Sequence, residues 1–371
     1  VKNGAPRTRR LRTKLLGLTL STVVSLAMVE VGARLLTVEP AQIRGKPLGA
    51  NAFSESLAYP IPGERAPTAP YRMDPQTGFC LMSDYDGPIE FGEAPGGHYR
   101  LRTNHVGLRD DRPLVPKKEG TLRVLVVGDS MTFGHGVERD DAFPAVLERE
   151  LVSKLGRPVE VVNAGVLCWG QREEVGFLEH RAEELQPDFV VLQFTVANDV
   201  LDNLRYLPGS AELVPDRTLG EDLATQWLFR LPLAEWSRAY RLVMWHIGRH
   251  VIRYRAMMEP KRLERTRALI ARARDAAKKL HARFGVVIAP TIVQADRTFA
   301  EVLLRTHRIN DAIAASCQQD GIPVLDPLPA LRQAHKEGRE SYFGKDMHWN
   351  GEGHRIVGRE LATWIVPLLH D

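Results

Sequence analysis

At 371 residues, with 44% hydrophobic and 26% charged residues, the chain is long enough for one large core plus further segments and has the composition of a globular protein. Its formal net charge is +4, and Lys2, Arg7, Arg9, Arg10, Arg12 and Lys14 all precede residue 15, so the remainder is near neutral and carries no footprint for nucleic acid. Cys80, Cys168 and Cys317 sit at unrelated spacings, which excludes a disulfide framework and a zinc pattern; one disulfide outside the cytoplasm is compatible with them, and Cys168 and Cys317 are expected as small buried hydrophobes.

Residues 1–14 read as a basic cytoplasmic tail. The segment Leu15 to Leu36 follows, uncharged as far as Val29, with Glu30 and Arg34 four apart near its end. As a helix it would span about 33 Å at about 1.5 Å per residue, the length of a transmembrane anchor, and the basic residues before it would leave the rest of the chain outside the cytoplasm. A signal segment cleaved near Val31-Gly32-Ala33 is the competing reading. Residues 37–120 are rich in Pro and Gly and read as a linker and accessory segment, with Tyr99 to Asp110 expected to pack on the main domain as an edge element.

From Leu122 the pattern alternates strand and helix through residue 371. Strands are predicted at 122–127, 159–163, 188–194, 286–289 and 322–326, and helices near 141–155, 171–185, 261–284, 296–319 and 353–368. Such alternation implies an α/β domain, 121–371, with a parallel five-stranded sheet covered on both faces. An insertion, 201–260, carries an amphipathic pattern with arginines on one side (Arg230, Arg238, Arg241, Arg249, Arg253, Arg255), read as a helix packed on the sheet or as a wall touching membrane or anionic glycan.

Three strand ends carry candidate chemistry. Val124 to Val127 runs into Gly128-Asp129-Ser130, and a serine at the carboxyl end of a parallel strand stands where open α/β sheets build their sites. The second strand ends at Asn163-Ala164-Gly165 and the third at Asn198-Asp199. The N–H groups of Ser130 and Gly165 and the Asn198 amide are the kinds of donor that hold a developing oxyanion. Near the C-terminus, Asp346-Met347-His348-Trp349-Asn350 offers a base for a serine and a carboxylate to orient it. Asn350 also reads as the cap of the final helix. His354 is expected to pack or cap inside that helix, His135 has no neighbouring carboxylate pattern, Asp129 and Asp199 read as turn-stabilising, and Trp349 as packing beneath the loop.

Ser130, Gly165, Asn198 and His348, in that order, resemble the four signature residues of the SGNH (GDSL-type) hydrolase superfamily. The similarity runs from Arg123 to the C-terminus and is strongest at Val126 to Gly134 and Asp346 to His354. Arg102 to Asp110 resembles a segment that precedes the nucleophile strand in membrane-anchored bacterial members. Two positions depart from the family pattern: Val196 stands where Gly is common, and Lys345 where the Asp is common. The nearer Asp346 gives an Asp-x-His-Trp spacing similar to proteins of polysaccharide O-acetylation.

The resemblance implies a doubly wound, flavodoxin-like sheet of order 2-1-3-4-5 and a serine esterase or acylhydrolase outside the cytoplasm. Ser130, Asp346 and His348 would be catalytic and Ser130, Gly165 and Asn198 the oxyanion hole, with no cofactor and no metal. The partners would be an acyl or acetyl ester of a polysaccharide or lipid, and the membrane through residues 15–36. Two alternatives stand beside it: a polysaccharide O-acetyltransferase using the same triad, and a catalytically silent glycan-binding or assembly protein with Ser130 and His348 too far apart to interact.

Overall fold

Three runs rich in β-branched residues become three adjacent strands, because side chains buried on both sheet faces leave no polar alternation to read. The computed structural model describes residues 7–36, 70–203, 237–246, 253–296, 301, 305–344 and 346–369. It divides into two units, residues 1–59 with 217–253 and residues 60–216 with 254–371.

In the larger unit two antiparallel hairpins come first: β1 (Tyr71–Asp74) with β2 (Gly78–Leu81), and β3 (Asp86–Glu90) with β4 (His98–Arg102). The main sheet follows, with β5 (Leu122–Gly128), β6 (Val159–Gly165), β7 (Phe189–Thr195), β8 (Arg283–Ala289) and β9 (Val324–Leu325) in the order β6-β5-β7-β8-β9, all parallel. This is the predicted 2-1-3-4-5 arrangement. The helices are α1 (Ser130–Phe133), α2 (Phe143–Leu155), α3 (Gln171–His180), α4 (Asp199–Asp202), α5 (Pro260–Lys279), α6 (Ile292–Ala295), α7 (Arg308–Gln319), α8 (Leu328–Lys336) and α9 (Gly351–Leu368).

The period-two alternation of β5 splits the core into two layers. Val124 and Val126 face Leu147 and Leu151 of α2, Leu331 of α8 and Leu361 and Ile365 of α9. Leu125 and Val127 face the opposite layer, with Val175 and Phe177 of α3, Ile270 of α5 and Ile313 of α7. Tyr99, Leu101, Phe79 and Leu81 of the hairpins belong to that second layer.

Several boundaries differ from expectation. Residues 71–102 form two hairpins rather than an extended linker, and alternate side chains of β4 are buried; Tyr99 and Leu101 pack on the main domain as expected, but from a separate hairpin rather than as an added strand of the main sheet. Residues 37–69 lie outside the described residues. Helix α3 stops at His180 and a 3₁₀ turn covers Glu183–Leu185, α8 was not anticipated, and β9 is only two residues long. None of the three cysteines is in a disulfide; Cys80 and Cys317 are buried, and Cys168, expected to be buried, is only half-buried.

In the smaller unit a helix covers Arg7–Leu36, as expected for residues 15–36. Among the described residues, however, no helix is long and apolar enough to cross a membrane. Thr19, Ser21, Thr22, Glu30 and Arg34 dilute its apolar character, and Glu30 pairs with Arg34 at 2.6 Å. Part of the insertion belongs with this helix. Ser237 Oγ and the N–H groups of Arg238 and Ala239, which open helix Arg238–His246, all donate to the Glu30 carboxylate. Arg253 and Arg255 of the expected arginine-bearing pattern lie in a short helix, Arg253–Met257, and residues 204–236 and 247–252 lie outside the described residues.

Candidate active site

The site lies at the carboxyl edge of the sheet, where β5, β6 and β7 end. The chain leaves β5 through Gly128 and enters the single turn α1, with Asp129 as its cap accepting the Met131 N–H at 2.9 Å. The cap fixes Ser130 at the first helical position, where a backbone N–H has no intrahelical partner. Asp129 is stitched to the neighbouring strand as well. It accepts from Thr195 Oγ1 at 3.0 Å, and Thr132 Oγ1 donates to Gln193 at 2.9 Å. The turn therefore cannot move independently of β7.

His348 arrives on a second, separately braced loop. Tyr342 and Trp349 form an antiparallel bridge, and the Phe343 N–H donates to the His348 carbonyl at 3.1 Å. Asn350 closes the loop: its Oδ1 accepts from the N–H groups of Glu352 and Gly353, capping α9, while its Nδ2 donates to the carbonyls of Glu340 and Tyr342. Trp349 is fully buried against Phe143 and His354, so it packs beneath the loop.

These two loops bring His348 Nε2 within 2.8 Å of Ser130 Oγ. Asp346 Oδ1 makes a very short hydrogen bond to His348 Nδ1 and accepts the His348 backbone N–H at 2.9 Å. Burial alone would raise the Asp346 carboxyl, but the hydrogen bond and charge of His348 outweigh it and hold the group down to about 2. A carboxylate ionised at neutral pH on Nδ1 fixes the proton there and leaves Nε2 free to accept the serine proton. The silent-protein alternative required Ser130 and His348 to be apart, and the 2.8 Å contact overturns it.

The three expected oxyanion donors are differently engaged. The Gly165 N–H donates to Asn163 Oδ1 at 2.9 Å, and a side chain at Gly165 would collide with the backbone of Thr132 and Phe133, so this glycine is required for the close approach of α1 to β6. Asn198 Nδ2 donates to Asp202 at 2.5 Å and makes a longer contact with Asp129 at 3.3 Å. The Ser130 N–H stands at the free end of α1. Behind them, Asp199 and Glu174 are fully buried; burial and then neighbouring carboxylates push both well above the usual range. Asp199 accepts from Thr195 N–H at 2.6 Å and Gln171 Nε2 at 2.5 Å, a turn-stabilising role like that expected for it.

Two histidines take other places. His354 Nδ1 accepts the Phe143 N–H at 3.2 Å, and burial lowers the group to about 3, so it is a neutral structural acceptor. His135 lies edge-to-face with His348 at 4.9 Å between ring centroids. Sequence reasoning set His135 aside because no carboxylate accompanies it. Its partner is Tyr99, 36 residues upstream, whose hydroxyl lies 2.7 Å from Nδ1. Arg109, also upstream, is buried and donates to the carbonyls of Phe133, Gly134 and Val137 just after the serine turn. Neither contact has a local signal; only the Arg102–Asp110 resemblance marked the segment. Among the described residues there is no group of side chains that could hold a metal ion.

Among solved structures, the chain is similar to a member of the lipolytic protein G-D-S-L family from Veillonella parvula (13% identity, 65% of this chain and 97% of that one, TM-score 0.38). It is also similar to an acetylxylan esterase from Geobacillus stearothermophilus (14% identity, 66% and 94%, TM-score 0.40). No curated protein matches the chain. Residues 126–356, more than half of the sequence, match the GDSL-like lipase/acylhydrolase family, and this match takes in the loops of Ser130 and His348. The chain belongs to that family and is a serine hydrolase acting on ester bonds.

Proposed function

We propose that this enzyme works through an acyl-enzyme on Ser130. His348 takes the hydroxyl proton as Ser130 attacks the ester carbonyl, and Asp346 holds the imidazole with Nδ1 protonated and stabilises the imidazolium. His348 then returns the proton to the leaving alcohol, and water enters by the same route to release the acid. The single observation that carries this reading is the continuous chain of hydrogen bonds from Asp346 through His348 to Ser130 Oγ. The oxyanion would sit against the Ser130 N–H and the second amide hydrogen of Asn198, which holds only longer contacts, to Asp129 at 3.3 Å and Asp199 at 3.4 Å. Gly165 contributes there if its N–H leaves Asn163.

The substrate we propose is an acyl or acetyl ester of a glycan or lipid, met outside the cytoplasm. The location rests on the basic residues 1–14 followed by the uncharged run Leu15–Val29, the pattern of an export signal or tether. The Asp346-x-His348-Trp349 spacing favours a second reading, in which a sugar hydroxyl replaces water and the product is an O-acetylated polysaccharide. A panel of acyl esters, assayed with and without glycan acceptors and read by product mass, separates the two. Free acid at a rate independent of acceptor supports the esterase, and acyl transfer to sugar supports the transferase. No turnover of any ester by folded protein contradicts both. Fractionation of cells expressing the full-length chain, with protease applied from outside, tests the location.

A further inference from the structure

The segment Tyr99 to Asp110 precedes the catalytic sheet, yet two of its side chains reach the turn that carries the nucleophile. Arg109 is 1% exposed. Its guanidinium donates to three carbonyls of one turn, Phe133 and Gly134 through Nη1 and Val137 through Nη2 at 2.7 Å, and lies over the rings of Phe133 and Tyr99 at 4.7 and 5.2 Å. Among the described residues no carboxylate takes a hydrogen bond from it. Gly134, at φ +84°, leaves room for this, since a Cβ there would lie 2.9 Å from Nη1. The turn so held, residues 133–137, contains His135.

His135 is fixed from the same segment. Burial pushes the Tyr99 hydroxyl up, so it keeps its hydrogen at neutral pH and can offer it to His135 Nδ1, 2.7 Å away. A ring that accepts at Nδ1 carries its proton on Nε2 and is neutral. Burial first, then the charges of His348 and Arg109, hold His135 down to about 3, so it stays neutral throughout the working range of a histidine base. Phe91 from the β3–β4 hairpin packs on its other side at 4.7 Å and meets Phe343 of the base loop at 4.9 Å.

We propose that Tyr99, Arg109 and His135 are positioning residues: the upstream segment locks the turn 133–137 so that His135 braces the His348 ring edge-on against Ser130. The proposal rests on the assignment of Ser130 and His348 given above. A neutral aromatic ring suits this place for a stated reason. It restricts rotation of His348 without putting a like charge beside the imidazolium that forms during proton transfer. Misplacement of a reacting group by about 1 Å can cost about 10²-fold in rate, which sets the size of effect to look for.

The test compares kcat and KM for a small acetyl ester in His135→Ala, His135→Phe, Arg109→Lys and Ser130→Ala, each checked for folding by circular dichroism. His135→Ala should lose about 10–100-fold in kcat with KM unchanged, and His135→Phe should recover most of the loss because it restores the ring without its polar atoms. Arg109→Lys keeps the charge but cannot reach three carbonyls, and should lose kcat by a similar factor. Wild-type kcat in both His135→Ala and Arg109→Lys overturns the proposal, and so does a loss in His135→Ala that His135→Phe does not recover. Should His135→Ala fail to fold, His135→Phe and Arg109→Lys decide it: the proposal requires near-normal kcat in the first and a clear loss in the second. Ser130→Ala separates the two levels, because turnover surviving there overturns the acyl-enzyme reading itself.

Discussion

Two buried arginines mark opposite ends of strand β5, and they are held in opposite ways. Arg123, at the amino end, is fully buried and ion-paired with Glu160 at 2.6 Å. It also donates to the carbonyls of Leu185 and Leu114 at 2.6 and 2.7 Å, while its backbone N–H and Lys117 share the Asp188 carboxylate. Arg109, beside the turn at the carboxyl end, donates to carbonyls alone, and burial lowers its guanidinium to about 10. A buried charge with its counter-ion is a staple, whereas a buried charge held only by carbonyl dipoles is retained where its fork geometry has a second use. The amino edge of this sheet is built for stability and the carboxyl edge for placement.

The largest effect that would sharpen this contrast is at the carboxyl edge. Asp346→Asn keeps the packing but favours the wrong histidine tautomer, and kcat should fall by about 10³–10⁴-fold with little change in KM or melting temperature. Steady-state kinetics beside thermal unfolding checks this; normal turnover would leave a Ser130–His348 dyad. Arg123→Met should do the reverse, destabilising the fold by about 3 kcal/mol in chemical denaturation while the folded fraction keeps its kcat. A rate loss in folded Arg123→Met would break the comparison.

Smaller effects probe the middle of the site. Asn198→Ala should cost about 10²–10³ in kcat if its amide serves the oxyanion. An unchanged kcat would mean that its hydrogen bonds to Asp202, Asp129 and Asp199 are its whole role. His354 supplies the smallest effect, a pH dependence. Its folded value, about 3, lies below the ordinary 6.5, so between these the unfolded chain binds more protons and stability falls as pH falls. His354→Gln should reduce the slope of unfolding free energy against pH by about one proton, about 1.4 kcal/mol per pH unit, between pH 6 and 4. An unchanged slope would place the acid sensitivity elsewhere, with His135 the next candidate.

Much of the fold could be read in advance because parallel strands buried on both faces leave continuous apolar runs. Val124–Val127, Val159–Val162 and Phe189–Phe194 were visible for that reason, as was the amphipathic final helix. The hairpins at 71–102 were not. Their strands are four or five residues long, with Pro88 inside β3, and composition pointed to a linker. Helix α8 was hidden because it follows Asp326-Pro327 and carries Pro329 in its first turn. In the site, Ser130, Asp346 and His348 lie on motifs compact enough to read. Tyr99 and Arg109 gain meaning through contacts 24 to 36 residues apart that folding creates, and His135 through these and its ring contact with the distant His348. The engagement of Gly165 by Asn163 and of Asn198 by Asp202 was equally invisible, because it depends on side-chain direction rather than on order along the chain.

The central claim is an acyl-enzyme on Ser130, and it can be trapped. The full-length protein is mixed with an activated acetyl ester, quenched in acid within the first turnovers, digested and mapped by mass spectrometry. An acetyl group on the peptide containing Ser130, absent from Ser130→Ala, is the predicted result. An acetyl group on another residue, or full turnover by Ser130→Ala, would contradict it.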